Sequence, residues 1–170
     1  RGEQLGRPLE LYKKWASQVP ENRAVVVYST MWHSTEKMAT AIADGLRSAG
    51  TQVKVMSLEA NTRSDVATEI LCAGALVVGS PTINNQMYPA VADVLCYLKG
   101  LRPKNLLGAA FGSFGWSGEA VAQINEQFAA MKLELAAEGL KLKYVPSDAD
   151  LEKCFGYGAA IGAVLAEKTK

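Results

Sequence analysis

Residues 24–36 of the 170-residue chain read Ala-Val-Val-Val-Tyr-Ser-Thr-Met-Trp-His-Ser-Thr-Glu. The run 24–28 is apolar and rich in valine, which is typical of a strand buried on both faces of a parallel sheet. The residues after it are polar, and beyond them apolar residues recur at helical spacing, at Ala39, Ile42, Ala43, Leu46 and Ala49. The stretch therefore predicts a buried strand, a polar loop and an amphipathic helix.

Four further apolar runs indicate four further strands, at residues 53–57, 75–79, 106–111 and 140–145. Their spacing is close to the roughly 30 residues of a strand–helix–strand unit. Apolar residues at helical spacing follow the third, fourth and fifth runs. This alternation predicts an α/β protein with a doubly wound, five-stranded parallel sheet in the order 2-1-3-4-5.

The composition narrows the class of protein. The chain is 49% hydrophobic and 21% charged, and 18 Lys and Arg residues against 17 Asp and Glu residues give a net charge of +1. This near-neutral charge argues against a nucleic-acid or membrane-surface partner. The apolar runs are shorter than the ~20 residues that span a bilayer.

The cysteines and the histidine argue against a metal centre. Cys72, Cys96 and Cys154 form no CxxC pair, and His33 is the single histidine. We interpret the three thiols as small buried side chains of a reduced, cytoplasmic protein.

The loops after strands one, three and four form the candidate binding site, because ligands of doubly wound sheets bind beyond the carboxyl ends of the strands. The first loop, residues 29–36, carries hydroxyl groups and His33 at a helix N-terminus, without Lys or Arg. This pattern predicts a phosphate monoester held by hydroxyl and backbone N–H groups. The alternative is plain helix capping by Ser34 or Thr35.

The second and third loops carry groups suited to a flat heterocycle. The amide side chains of residues 79–86 can contact its polar edge, or the loop is an ordinary one capped by Asn85 or Gln86. In residues 112–119, Phe114 and Trp116 lie among glycines and serines. We expect Trp116 to stack on a ligand, the alternative being that both rings fold back into the core.

Several other site classes lack their motifs. The first strand is not followed by GxGxxG, and no GxxxxGK[ST] occurs in the chain. The acidic cluster of a receiver domain is replaced by Ser29-Thr30 and Gly79-Ser80. No Ser/His/Asp set is spaced for hydrolysis, and we predict no catalytic residue and no metal ligand within the chain.

Three motifs together resemble the flavodoxin-like domain of flavodiiron proteins (A-type flavoproteins) over about residues 20–166. They are T-M-W-H-S-T at 30–35, S-P-T-I-N-N at 80–85 and G-S-F-G-W-S-G-E-A at 112–120. The first is similar to the flavodoxin phosphate loop T/S-x-T-G-x-T, with His33 where flavodoxins have glycine.

The resemblance implies an FMN cofactor and a set of residues around it. Its phosphate would be held by Thr30, Met31, Trp32, His33, Ser34 and Thr35. The flavin would be lined by Pro81, Thr82, Ile83 and Asn84, and covered on its other side by Ser113, Phe114, Gly115, Trp116, Ser117 and Gly118.

The resemblance also implies a larger oxidoreductase. Residues 1–20 look like a connector from a preceding metallo-β-lactamase-like domain, and residues 21–170 like the FMN domain. A chain that begins at Arg1 rather than Met fits a piece of a longer protein. In the family, FMN passes electrons to a diiron centre in the other domain, which reduces dioxygen or nitric oxide. The expected donor is rubredoxin or an NADH-dependent reductase, and the full-length protein is expected to be a homo-oligomer.

Two other functions stay open from the residues. One is an NAD(P)H quinone reductase of flavodoxin fold, and the other is an apo scaffold for docking or dimerisation. The net charge of +1 favours a tethered electron carrier, since a covalently linked partner needs no electrostatic steering.

Overall fold

A computed structural model describes residues 3–170, with side chains from residue 8 onward. The helices are α1 (Glu3–Ser17), α2 (Ser34–Ser48), α3 (Arg63–Glu69), α4 (Pro89–Leu101), α5 (Ala120–Ala130) and α6 (Asp148–Lys168). The strands are β1 (Glu21–Tyr28), β2 (Gln52–Ser57), β3 (Ala73–Gly79), β4 (Thr82–Ile83), β5 (Gln86–Met87), β6 (Leu107–Phe114), β7 (Glu134–Leu135) and β8 (Leu140–Lys143).

Six strands form one parallel sheet in which β2, β1, β3 and β6 follow one another. Two short strands share the position outside β6. The strand β7 pairs with Leu107 and Gly108 at the start of β6, and β8 pairs with residues 111–114 at its end. The predicted order 2-1-3-4-5 is confirmed. The strand β6 is the fourth in this order, and β7 and β8 together occupy the fifth position.

Helices cover both faces of the sheet, which explains why the strands lack polar alternation. On β1, Val25 and Val27 face a core that includes side chains of α3, α4 and α5. Their neighbours Ala24 and Val26 face the other core, against α2 and α6. The apolar stripe predicted for α4 is confirmed, as Val91, Val94, Leu95 and Leu98 are all buried.

Two glycines bring α2 and α6 into backbone contact. A Cβ atom on Gly45 would lie 2.0 Å from the carbonyl oxygen of Phe155, and one on Gly158 would lie 2.0 Å from that of Ile42. Side chains at either position would collide with backbone, so the two helices can pack this closely only with glycine at both positions.

Some predicted boundaries are wrong. The fourth strand continues to Phe114, so residues 112–114 belong to β6 and not to a loop. The helical spacing of apolar residues after the fourth run extends to Leu135 and predicts a helix of that length, but α5 ends at Ala130 and Leu135 lies exposed on β7. The short helix α3 and the β4–β5 hairpin have no counterpart in the predicted elements.

The three cysteines differ in burial. Cys154 is buried as predicted, whereas Cys72 is half-buried and Cys96 is exposed. Burial raises the pKa of the Cys154 thiol to about 11, so this group stays protonated near neutral pH and is a poor nucleophile.

The helix α1 lies within the predicted connector of residues 1–20. At its end, the carbonyl of Gln18 accepts a hydrogen bond from Asn105 Nδ2 at 3.1 Å. That the connector leads from another domain stays a prediction. Among residues 3–170, no helix has both the length and the hydropathy needed to cross a bilayer.

Candidate functional site

The first loop ends in a helix N-terminus that carries no side-chain cap. The N-cap residue before α2 is His33, which has the left-handed conformation with φ 61°, and its side chain makes no capping hydrogen bond. Left-handed backbone favours glycine, which explains why a glycine suits this position in the flavodoxin motif. The first N–H groups of α2 are thus left without a side-chain acceptor, which is the arrangement that binds anions.

The imidazole of His33 turns to Glu36. Its Nδ1 lies 2.6 Å from Glu36 Oε2, and the phenol of Tyr28 donates to Glu36 Oε1 at 3.4 Å. Burial and the nearby Glu36 carboxylate raise the pKa of Tyr28. The Glu36 carboxylate therefore links the end of β1 to the start of α2.

Thr30 presents a buried hydroxyl without a partner. The residue is 7% exposed, and its Oγ1 atom makes no hydrogen bond within the part of the chain that the structure describes. An unpaired buried hydroxyl is costly. A ligand oxygen beside it would remove that cost.

The second loop is a tight hairpin. The strands β4 and β5 pair antiparallel, and the two residues between them, Asn84 and Asn85, both have positive φ angles. This is the signature of a primed type I turn, for which two asparagines are suitable residues. Gln123 on α5 secures the turn, accepting from Met87 N at 2.8 Å and donating to Asn85 O at 3.0 Å.

A buried hydrogen bond joins the start of α2 to the end of β6. Thr35 Oγ1 and Ser113 Oγ lie 2.9 Å apart, and both residues are buried. Beyond Ser113, the ring of Phe114 lies over Gly118, where a Cβ atom would come within 3.0 Å of it. The helix after the first loop and the strand before the third loop are thus directly linked.

A cavity of about 380 Å³ opens where these loops meet, at the carboxyl end of the sheet. Its volume lies within the roughly 300–1,000 Å³ of small-molecule sites. None of its lining residues, all within the described range 8–170, has a charged side chain. They are Thr30, Met31, Trp32, Ser34, Pro81, Thr82, Ser113, Phe114, Gly115, Tyr144 and Val145.

The predicted site residues divide into two groups. The cavity brings together Thr30, Met31, Trp32, Ser34, Pro81, Thr82, Ser113, Phe114 and Gly115. His33, Thr35, Ile83, Asn84, Trp116, Ser117 and Gly118 lie beside it without lining it. Within the second group, Trp116 is 92% exposed, and Ser117 donates to Asn85 Oδ1 at 3.3 Å. A contact of either group with a ligand stays a prediction.

Two lining residues, Tyr144 and Val145, had not been predicted for the site. They follow β8, which pairs with the last residues of β6. Both residues belong to the predicted fifth strand, at 140–145, whereas β8 ends at Lys143. The segment after this strand therefore did not enter the predicted site, although the carboxyl ends of parallel strands meet at one edge.

Comparison with known proteins fits this fold. The family model described as Flavodoxin matches residues 26–158. A nitric oxide reductase of Moorella thermoacetica is 47% identical over 163 residues, covering 95% of this chain and 41% of the relative.

Two solved structures are similar over nearly the whole chain. The rubredoxin oxygen:oxidoreductase of Desulfovibrio gigas superposes with a TM-score of 0.93 at 43% identity, covering 98% of this chain and 41% of that one. The flavodiiron protein of Giardia intestinalis gives a TM-score of 0.94 at 31% identity, covering 99% and 42%. The chain therefore spans about two fifths of the length of these relatives.

The chain belongs to the flavodoxin family, whose domains bind FMN. More particularly, it matches the flavodoxin-like part of flavodiiron proteins, which carry their diiron centre in the other domain.

Proposed function

We propose that this chain is the FMN-binding electron-transfer domain of a flavodiiron oxygen or nitric oxide reductase. Its relatives include proteins described as a nitric oxide reductase and a rubredoxin oxygen:oxidoreductase. In this proposal electrons enter from rubredoxin or an NADH-dependent reductase and leave to a diiron site in a metallo-β-lactamase-like domain of the same protein. The full-length protein would work in the cytoplasm as a homo-oligomer.

The observation that supports FMN binding is the unpaired hydroxyl of Thr30 beside the uncapped start of α2. Both features lie at the neutral cavity of about 380 Å³. A phosphate monoester would satisfy the hydroxyl and the free N–H groups together. The residues present therefore fit the phosphate end of FMN.

In the proposed site, Thr30, Met31, Trp32, His33, Ser34 and Thr35 hold the phosphate. Residues 81–84 line the flavin on one side and residues 113–118 on the other. The hydrogen bond between Thr35 and Ser113 joins the start of α2 to the end of β6. The apolar rings of Trp32 and Phe114 would keep water away from the bound group. FMN supplies the redox chemistry when bound, and the protein tunes its environment and orientation.

Titration of the purified chain with FMN and with riboflavin tests this proposal. We expect one FMN to bind per chain and riboflavin to bind more weakly, because riboflavin lacks the phosphate. Thr30→Val should weaken FMN by about tenfold or more, since a hydrogen bond to a charged group is lost, and leave riboflavin within about twofold. Thr68→Val, on the exposed face of α3, is the matched control. A chain that takes up no FMN would refute the proposal.

A second measurement separates the carrier from a quinone reductase. We expect NADH to reduce the bound FMN only when an NADH-dependent reductase is added, alone or with rubredoxin as the carrier between them, with one NADH oxidised for each FMN reduced by two electrons. Rapid oxidation of NADH by the loaded chain alone would favour the quinone reductase instead.

A further inference from the structure

Tyr144 combines a strained backbone with an exposed aromatic ring at the cavity. Its φ angle is 62°, and such left-handed backbone is a genuine outlier for a bulky residue. Seven other non-glycine residues of the described chain have positive φ angles, and none of them has as large a ring: Gln18, His33, Asn84, Asn85, Arg102, Asn105 and Lys132.

The sheet holds Tyr144 in this conformation. The pairing of β8 with β6 ends at Lys143 opposite Phe114, and the N–H of Tyr144 then donates to the carbonyl oxygen of Phe114 at 2.7 Å. This bond extends the ladder by one residue while the backbone turns. The turn directs the ring over Gly115, where a Cβ atom would lie 3.7 Å from Tyr144 Cε1.

The ring has little to pack against within the protein. Tyr144 is 63% exposed although it lines the cavity, and the ammonium group of Lys143 lies 5.0 Å from its ring centroid. Folding alone therefore gains little from placing this ring here. Strained residues of this kind persist where the surroundings enforce them, and they concentrate at ligand sites.

We infer that Tyr144 is a further cofactor-contacting residue, whose ring forms the wall of the flavin site beside Gly115. The inference rests on the proposed FMN binding. It adds a fourth segment, after the fifth strand, to the three loops that the motifs define. Tyr144 lines the cavity in this structure, whereas Trp116 does not.

Two variants test the contact by calorimetric titration with FMN. Tyr144→Ala should lower the affinity by about tenfold, the loss expected when one aromatic wall is removed, whereas Tyr144→Phe should stay within about twofold. Tyr12→Ala, which removes a 67% exposed aromatic ring on α1 that does not line the cavity, is the control and should stay within about twofold. An unchanged affinity for Tyr144→Ala, or an equal loss for Tyr144→Phe, would overturn the inference.

Urea unfolding of the FMN-free chain supplies a readout that a merely structural role would not give. Tyr144→Gly should not lower the unfolding midpoint, because glycine adopts the left-handed conformation without strain. Lys132→Gly, at φ 60° on the other end of the sheet, should behave alike in urea but keep its FMN affinity. A clear fall of the midpoint for Tyr144→Gly would make Tyr144 a structural residue and overturn the inference.

The two proposals fail in different ways. If the unmodified chain takes up no FMN, the proposed function fails and this inference fails with it. If the unmodified chain binds FMN and Tyr144→Ala binds it equally well, only the assignment of Tyr144 fails.

Discussion

The carboxyl end of the sheet holds a neutral cavity of about 380 Å³, whereas the amino end holds a basic hollow of about 890 Å³. The basic hollow is lined by Lys99, Arg102, Lys104, Lys132 and Lys168, and its one lining carboxylate, Glu134, pairs with Lys168 at 2.8 Å. The direction of the helices explains the difference. The helices α4, α5 and α6 end beside the basic hollow, where cations complement the C-terminal carbonyl groups.

The comparison shows that the larger and more charged hollow is not the better candidate for a phosphate. Two of its cations, Lys99 and Lys168, lie in the last turns of α4 and α6, where they complement the helix ends. The smaller cavity is the one with polar groups that lack hydrogen-bond partners, namely the buried hydroxyl of Thr30 and the uncapped N–H groups at the start of α2. Neutral donors at a helix N-terminus suffice for a phosphate group.

The largest difference between the two ends of the sheet should appear in the free energy of unfolding when one glycine at each end is replaced by alanine. A Cβ atom on Gly112, near the carboxyl end of β6, would lie 2.2 Å from the backbone oxygen of Ser80. Gly112→Ala should therefore lower the free energy of unfolding by about 2 kcal/mol or more. Gly100, near the end of α4, has open space around its Cβ position. Gly100→Ala should stabilise the chain by about 0.5–1 kcal/mol. Urea unfolding measures both, and equal effects would contradict the predicted contrast.

A smaller loss of stability should follow when the hydrogen bond between the start of α2 and the end of β6 is removed. Thr35→Val removes the buried hydrogen bond to Ser113 and should lower the free energy of unfolding by about 1–2 kcal/mol. Thr40→Val, on the exposed face of the same helix, should change it by less than about 0.5 kcal/mol. Urea unfolding of both variants measures these losses. Losses of the same size would mean that the buried hydrogen bond of Thr35 stabilises the fold no more than the exposed one of Thr40.

The carboxyl group of Asp150, in the first turn of α6, should make the stability of the fold depend on pH. Hydrogen bonds from Ser147 lower the pKa of Asp150 to about 2, from an ordinary value of 3.8. Because the pKa of Asp150 is lowered in the folded chain, its ionised form stabilises the fold at pH values above 3.8. This stabilisation is lost as the pH falls through about 2. Ser147→Ala should cost about 1 kcal/mol at neutral pH.

The size of that cost should itself depend on pH. The stability curves of the variant and the unmodified chain should converge as the pH is lowered from about 4 to about 2. Thermal unfolding across this range measures the convergence. A constant difference between the two curves would show that Asp150 does not take part.

The smallest effect should come from the basic hollow. Because we place the FMN phosphate at the other end of the sheet, the double variant Lys104→Gln with Lys132→Gln should bind FMN within about twofold of the unmodified chain. Titration at low ionic strength gives the most sensitive measurement, since salt screens distant charges. A loss beyond about fivefold would move the phosphate site toward the amino end.

Local pattern predicted most of the fold. The valines of β1 and the stripe of α4 carry their signal within a few residues, because burial on both faces of a strand or on one face of a helix is written in the spacing itself. The strand order followed from the alternation of elements. The helix α3 was within reach too, since Thr62 and Asp65 form a capping box at its start.

The site was only partly predictable, because its walls depend on register between distant segments. The three loops were found from their polar groups. Tyr144 enters the cavity because β8 pairs with the end of β6, and Trp116 stays outside it because the chain turns away after Gly115. Neither orientation is encoded within a few residues of these rings.

The glycine contact between α2 and α6 has a consequence for how quickly a ligand is captured. The backbones of α2 and α6 are in contact at Gly45 and Gly158, and Thr35 in the first turn of α2 is buried, so this turn is already packed before any ligand arrives. Pre-organisation of this kind removes the entropic penalty of ordering a loop during association. The rate at which the phosphate group binds would then depend on diffusion and on rotamer changes of Trp32, which lines the cavity and is 81% exposed.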